Sequence, residues 1–313
     1  MMTRRTLLAT LATAPFAASA APDPLRQTWR DPARSRDLPI LLRLPGAPGP
    51  RPAVIVSPGL GGSRDGLAYL GRAFTGAGYV ALHLQHPGTD DALWRNAGGG
   101  PALAAAALDP ANAVARLLDG VFAVDQLLRR TATAGDPLAG RVDPARIAIA
   151  GHSYGAWTVQ HLLGQRIPGG DRGLPLPERR LAAGIALSPS PPRGLPPRLA
   201  FARVATPMLH VTGTLDSGFI EGATPADREI PFRAIEGAPG ALAVLEGATH
   251  PAFADEEAAG PRWSDPTFHG RTAALSVLFL RTVLEGDAEA RAALVTGGRE
   301  VLAPGDRLEV RGF

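Results

Sequence analysis

Short apolar runs alternate with stretches of helical spacing along most of the chain. The runs predict strands at residues 38–44, 53–57, 79–84, 147–150, 182–187, 207–211 and 241–245. Between them, residues 65–77 read as a helix ended by Gly78. Residues 113–130 place Val114, Leu117, Leu118, Val121, Val124 and Leu128 at helical spacing. Residues 156–163 and 272–284 predict two further helices, the second closing the fold. The run Ile147-Ala148-Ile149-Ala150 lacks polar alternation, as does a central strand buried on both faces. Strands alternating with helices predict an α/β class, with a mainly parallel central sheet flanked by helices. Two proline-rich stretches, 167–177 and 189–197, read as rigid loops. No internal repeat or linker divides residues 21–313, which are expected to form one domain.

Composition changes this picture little. The chain has 313 residues, 45% of them hydrophobic and 19% charged, which suits a globular domain rather than a disordered one. The pI of about 10.1 suggests a nucleic-acid binder but misleads. The sequence contains no Lys and no Cys, so a formal charge of +3 carried by Arg persists to high pH. No long basic run occurs, which argues against a nucleic-acid patch.

The N-terminus is more informative. Arg4-Arg5, an apolar stretch over residues 6–16 and the small residues Ala18-Ser19-Ala20 have the three parts of an export signal. Adjacent arginines followed by Leu7-Leu8 point to the twin-arginine route. Residues 1–20 are therefore expected to be removed, leaving a periplasmic or secreted protein. The stretch is too short to span a membrane, and without Cys there is neither a lipid-anchoring cysteine nor a disulfide framework.

The sharpest chemical signal is Gly151-His152-Ser153-Tyr154-Gly155, set between the apolar run 147–150 and a predicted helix. A serine on so tight a turn has its hydroxyl lifted clear of the sheet, and flanking glycines are needed because side chains there would collide with neighbouring backbone. The next amide, that of Tyr154, falls at a helix N-terminus, where N–H groups are free to bind an oxyanion.

A serine hydroxyl needs a base at neutral pH, and the base needs an orienting carboxylate. After this motif the acid and then the histidine are expected in chain order. His250, in Gly247-Ala248-Thr249-His250-Pro251, follows the run 241–245 in a loop and is the preferred base. His161 and His210 fall inside a helix and a strand, and His269 is a weaker candidate. Asp216 ends the small-residue turn after the run 207–211 and is the preferred acid, ahead of Asp171, Asp227 and Glu221. The glycine-rich loop Ser57-Pro58-Gly59-Leu60-Gly61-Gly62-Ser63 supplies a second oxyanion donor, for which the Leu60 amide is the candidate. It lacks the Lys of a phosphate-binding loop. Trp157, Trp94 and His86 are candidates for the substrate pocket. His83 and His86 are read as a strand end entering a turn rather than as metal ligands, since no His-Glu-x-x-His or cysteine cluster accompanies them. This chemistry calls for no metal and no cofactor.

With these motifs the chain resembles an α/β-hydrolase, and more narrowly the exported bacterial proteins that are dienelactone-hydrolase-like or platelet-activating-factor-acetylhydrolase-like. The resemblance spans nearly all of residues 21–313. It rests on Trp29-Arg30-Asp31-Pro32-Ala33-Arg34-Ser35-Arg36, the loop 57–63, His86-Pro87-Gly88, the serine motif, Thr212-Gly213-Thr214-Leu215-Asp216 and Gly247-Ala248-Thr249-His250. It implies a nucleophile at Ser153, an acid at Asp216 and a base at His250. Two features depart from such relatives. Dienelactone hydrolases use a cysteine, absent here, and secreted polyester hydrolases often carry glycines where Ala156-Trp157 stand. The expectation is a serine esterase acting on small-molecule esters of short to medium acyl chain, with no nucleic-acid partner and no stable membrane anchor. An amidase, peptidase, acyltransferase or polyester hydrolase would use the same residues, and a binding protein could keep the fold without catalysis.

Overall fold

The computed structural model describes residues 22–95, 99–170, 173–218, 220, 222–255 and 265–313. The expected export signal, Asp171 and Glu221 lie outside the described residues. Nine strands among these form one sheet: β1 (Leu25–Asp31), β2 (Arg36–Arg43), β3 (Arg51–Ser57), β4 (Val80–Leu84), β5 (Val142–His152), β6 (Leu181–Leu187), β7 (Met208–Leu215), β8 (Gly240–Thr249) and β9 (Arg307–Arg311). Their spatial order is β1-β2-β4-β3-β5-β6-β7-β8-β9. The pairs β1/β2, β2/β4 and β8/β9 are antiparallel, and the remaining pairs are parallel.

Side-chain alternation along each strand divides the interior into two apolar layers. In β3, Ala53 and Ile55 join one layer while Val54 and Val56 join the other. In β5, Ile147 and Ile149 oppose Ala148 and Ala150 in the same way. Because both faces are covered, these strands read as continuous apolar runs. The helices are α1 (Ala68–Gly76), α2 (Ala92–Arg95), α3 (Gly99–Leu108), α4 (Pro110–Thr131), α5 (Tyr154–Leu162), α6 (Pro197–Phe201), α7 (Ile230–Ala234), α8 (Pro266–Leu280) and α9 (Ala288–Val295). Leu117 and Val124 of α4 and Val159 and Leu162 of α5 pack into the first layer. Leu70 and Phe74 of α1 and Leu275 and Phe279 of α8 pack into the second.

Several elements begin or end where local chemistry dictates. Asp109 caps α4 by accepting the Ala111 amide, with Pro110 at the first helical position. Asp265 caps α8 in the same way, so that helix starts before residue 272, and it runs on as a π-turn over Arg281–Glu285. It does not close the fold: α9 and the edge strand β9 follow. Helix α1 starts later than residue 65, because the chain turns at Leu67, whose φ is 57°. The Asp255 carboxylate, from a distant segment, accepts the Tyr69 amide there (3.0 Å). The described parts of the two proline-rich stretches are loops, except that Pro197 opens α6. No helix among the described residues is long and apolar enough to cross a membrane.

Parallel strands bring their C-terminal ends to one edge of the sheet. Ser153 follows β5, Asp216 follows β7 and His250 follows β8, while residues 58–63 leave β3 at the same edge. A crevice outside these ends is where such a sheet gathers its functional side chains.

Candidate active site

Ser153 sits between β5 and α5 with φ 55° and ψ −114°, a conformation that L-residues rarely adopt. The neighbouring glycines make the turn possible. A Cβ on Gly155 would fall well inside contact distance of the Ser57 carbonyl oxygen, and one on Gly151 would lie 2.5 Å from the Gly155 backbone. The strained serine is held on both sides, its amide donating to the Leu187 carbonyl (2.9 Å) and its carbonyl accepting from the Trp157 amide (3.0 Å).

His250 Nε2 lies 2.9 Å from Ser153 Oγ, and its Nδ1 lies 2.8 Å from Asp216 Oδ1. A carboxylate can only accept, so Nδ1 carries the ring proton and Nε2 is left to accept from the serine hydroxyl. Asp216 is fully buried, and its other oxygen accepts from Thr212 Oγ1 (2.7 Å). Burial alone would raise the Asp216 carboxyl. The hydrogen bond from His250, the charges of His250 and Arg228 and the Thr212 hydroxyl outweigh it and hold the group at about 2. Asp216 is therefore ionised at neutral pH.

Two further residues complete this cluster, and neither was singled out in the sequence for a role here. Arg228 is fully buried, with Nε 3.4 Å from Asp216 Oδ1 and Nη2 3.2 Å from His250 Nδ1. Because Nδ1 already donates to Asp216, the guanidinium cannot donate to it and stands as a fixed positive charge beside both groups. Its neighbour Asp227 instead accepts from the Thr224 amide and hydroxyl at the surface (both 2.8 Å), away from His250. His152 donates from Nε2 to the His250 carbonyl (3.0 Å). Burial and the charge of His250 lower His152 to about 3, so it is neutral. Nothing local in the sequence marks Arg228, since the fold alone brings it to Asp216.

Tyr154 opens α5, so its amide is one of the N–H groups that a helix leaves without an intrahelical partner. Leu60, Ser153, Tyr154 and Trp157 line one cavity of about 250 Å³. Ala107, Leu108, Ala113, Ile167 and Ile220 add apolar wall, and His161, Gln165, Arg166 and Arg193 add polar groups. His161 donates through Nδ1 to the Trp157 carbonyl (2.9 Å), which can only accept, so Nδ1 carries the proton.

Trp94 and His86, expected at the pocket, are not among its lining residues. Trp94 packs on the glycine loop: a Cβ on Gly61 would collide with its indole. His86 is buried in a polar chain, with Nε2 3.0 Å from Ser57 Oγ and Nδ1 2.9 Å from Asp119 Oδ2. His83 instead meets the Gly66 carbonyl (3.0 Å), so the two histidines face separate partners. His210 is buried inside β7, and His269 bonds the Ala254 carbonyl (2.9 Å) while stacking on Tyr69.

Comparison with known proteins found no matching family model and no matching curated sequence.

Proposed function

We propose that the chain is a serine hydrolase of the α/β-hydrolase type that cleaves carboxylic esters through an acyl-enzyme. One observation carries this reading: the unbroken chain from Ser153 Oγ through His250 to a buried, ionised Asp216, starting at a serine with φ 55°. The strand order and the antiparallel β2 beside an otherwise parallel run suit that fold type. In the proposed reaction His250 takes the Ser153 proton as Oγ bonds to the ester carbonyl carbon. It then gives the proton to the departing alkoxide as the C–O bond breaks. Water then attacks the acyl-serine with His250 accepting its proton, and as the acyl C–Oγ bond breaks His250 returns that proton to Ser153 Oγ and the free acid leaves. The Leu60 and Tyr154 amides are assigned to the oxyanion formed in each step.

The cavity supports a short to medium acyl group, since about 250 Å³ is at or below the small end of ligand pockets. Trp157 lines this cavity at a position where secreted polyester hydrolases often carry glycine, which supports a small-molecule ester over a polymer. Export through residues 1–20 belongs to the same proposal. The test is hydrolysis of nitrophenyl esters from acetyl to palmitoyl by the purified protein and by Ser153→Ala. Short-chain turnover that falls by about four to six orders of magnitude in the variant is expected. Folded protein that cleaves none of these esters, or a variant that keeps its activity, overturns the reading.

A further inference from the structure

The two amides assigned to the oxyanion lie on separate segments, Leu60 after β3 and Tyr154 after β5. One buried side chain ties these segments together. Arg116 of α4 is 1% exposed, and its Nη2 donates to the Pro58 carbonyl and to Ser57 Oγ (3.2 Å). Its Nη1 donates to Thr89 Oγ1 (2.9 Å). The Thr89 carbonyl in turn accepts the Gly61 amide (2.8 Å), so the Gly59-Leu60 segment is pinned from both sides. On the elbow side, Arg116 Nε donates to Thr158 Oγ1 (3.1 Å), and that hydroxyl donates to the Tyr154 carbonyl (2.8 Å). The guanidinium also lies over the Tyr154 ring, 4.5 Å from its centre.

The surrounding chemistry keeps this group charged. Burial draws Arg116 down to about 10, opposed by Tyr154 and Asp119, so it is a cation at neutral pH. Ser57 and His86 connect it to Asp119, which Arg34 and Arg36 also bind (both 2.8 Å). Placing a cation in the interior costs several kcal/mol unless its donors are satisfied, and an apolar side chain would pack the same space at lower cost. What an apolar residue cannot do is fix two backbone segments at once through a planar fork of donors.

We propose that Arg116 is a positioning residue that sets the Leu60 and Tyr154 amides together against Ser153. This inference rests on the serine-hydrolase reading. The guanidinium touches no reacting atom in this scheme; it acts through the peptide groups it holds.

The experiment compares wild type with Arg116→Met, Arg116→Lys and Thr89→Val, after Ser153-dependent ester hydrolysis has been established for the wild type. If that activity is absent, the hydrolase reading has failed on its own. Each variant is measured for kcat and KM, and for inhibition by an alkyl trifluoromethyl ketone and its methyl ketone analogue. The trifluoromethyl ketone adds reversibly to Ser153: Oγ bonds to the carbonyl carbon, the hydroxyl proton moves to His250, and the carbonyl electron pair becomes an oxyanion. Nothing leaves, so binding reports the oxyanion site. Arg116→Met is expected to lower kcat about 30- to 300-fold with KM within about threefold, at or below the roughly 100- to 1,000-fold of losing an oxyanion donor outright. Trifluoromethyl ketone binding should weaken by a similar factor while the methyl ketone changes little. Arg116→Lys should fall between, and Thr89→Val should lose severalfold.

A purely structural role would lower thermal stability without separating the two ketones. Near-wild-type kcat in folded Arg116→Met, or equal weakening of both ketones, overturns the proposal. Should Arg116→Met fail to fold, Thr89→Val decides, since it removes the acceptor of Arg116 Nη1, and with it only a 3.2 Å bond to the His86 carbonyl, with almost no change of shape. Unchanged kcat and unchanged trifluoromethyl ketone binding in that variant then overturn it.

Discussion

His152 Nε2 donates to the main-chain carbonyl of His250 at 3.0 Å, and the two rings lie 4.9 Å apart. The residue before the strained serine thus holds the backbone of the segment that carries the proposed base. The end of β5 and the segment after β8 are tied by one hydrogen bond, which requires the His152 ring proton on Nε2. Replacing it with phenylalanine keeps the ring against His250 and Phe253 but removes the donor. The loss is about 1 kcal/mol of alignment, or roughly a fivefold drop in kcat, from a typical net hydrogen bond. Steady-state kinetics of His152→Phe on a nitrophenyl ester measure it, with circular dichroism to establish folding. Unchanged kcat in the folded variant would show that the base is positioned without this bond.

Much of the arrangement around Ser153 is legible in the sequence because each candidate immediately follows a strand. Leu215 ends β7 and Asp216 follows; Thr249 ends β8 and His250 follows. The strands they leave are apolar on both faces, so their runs stand out and their ends can be located. Edge strands are different. β1 and β9 alternate exposed positions with partly or fully buried ones and carry Arg, Gln, Asp or Glu among them, so they resemble loops. Arg228 and Thr212 gain their meaning only when β7, β8 and the segment near residue 228 meet. Arg116 left a faint trace. It shares a helical stripe with Gly120, Ala123 and Leu127, all buried, and a charged residue on such a stripe indicates an interior polar contact. Trp94 and His86 show the converse: an aromatic or imidazole ring near a motif in sequence can serve the backbone behind the site instead of the cavity.

The elbow glycines allow a sharp contrast. A methyl group on Gly155 would overlap the Ser57 carbonyl oxygen, a backbone atom at the end of β3 that cannot retreat without moving the strand. Gly155→Ala should therefore cost about 3 kcal/mol or more, or prevent folding. Gly270, in the first half of α8, has open space where its Cβ would stand and is exposed. Gly270→Ala should stabilise by about 0.5–1 kcal/mol, because alanine loses less backbone freedom in a helix. Urea unfolding of the two variants beside wild type measures both effects. Equal stability of Gly155→Ala and wild type would mean that the β3–α5 approach is looser than this geometry requires.

Acidification should unfold the protein through its interior histidines. His83 and His86 are lowered to about 4, by burial first and then by neighbouring arginines. His152 and His210 are lowered to about 3, again chiefly by burial. In the unfolded chain each titrates near 6.5. Between those limits the unfolded state binds protons that the folded state refuses, so stability falls as pH drops below about 6.5 and continues to fall to about 4. Asp216, held at about 2, stays charged in the folded protein and adds to the slope only below about pH 5, where its unfolded carboxyl takes up protons. One such histidine contributes up to about 1.4 kcal/mol per pH unit below 6.5, and about 1.4 kcal/mol in all by pH 5.5. His210 is the cleanest one to remove, because it is buried in β7 beside Phe232 and takes no part in the serine cluster. The difference in unfolding free energy between pH 7.5 and 5.5 should be about 1.4 kcal/mol smaller in His210→Leu than in wild type. The comparison is made within each protein across pH, so any change that the substitution makes to packing cancels. An identical pH dependence in the two proteins would mean that His210 takes up its proton as readily folded as unfolded, and that its burial does not resist charge.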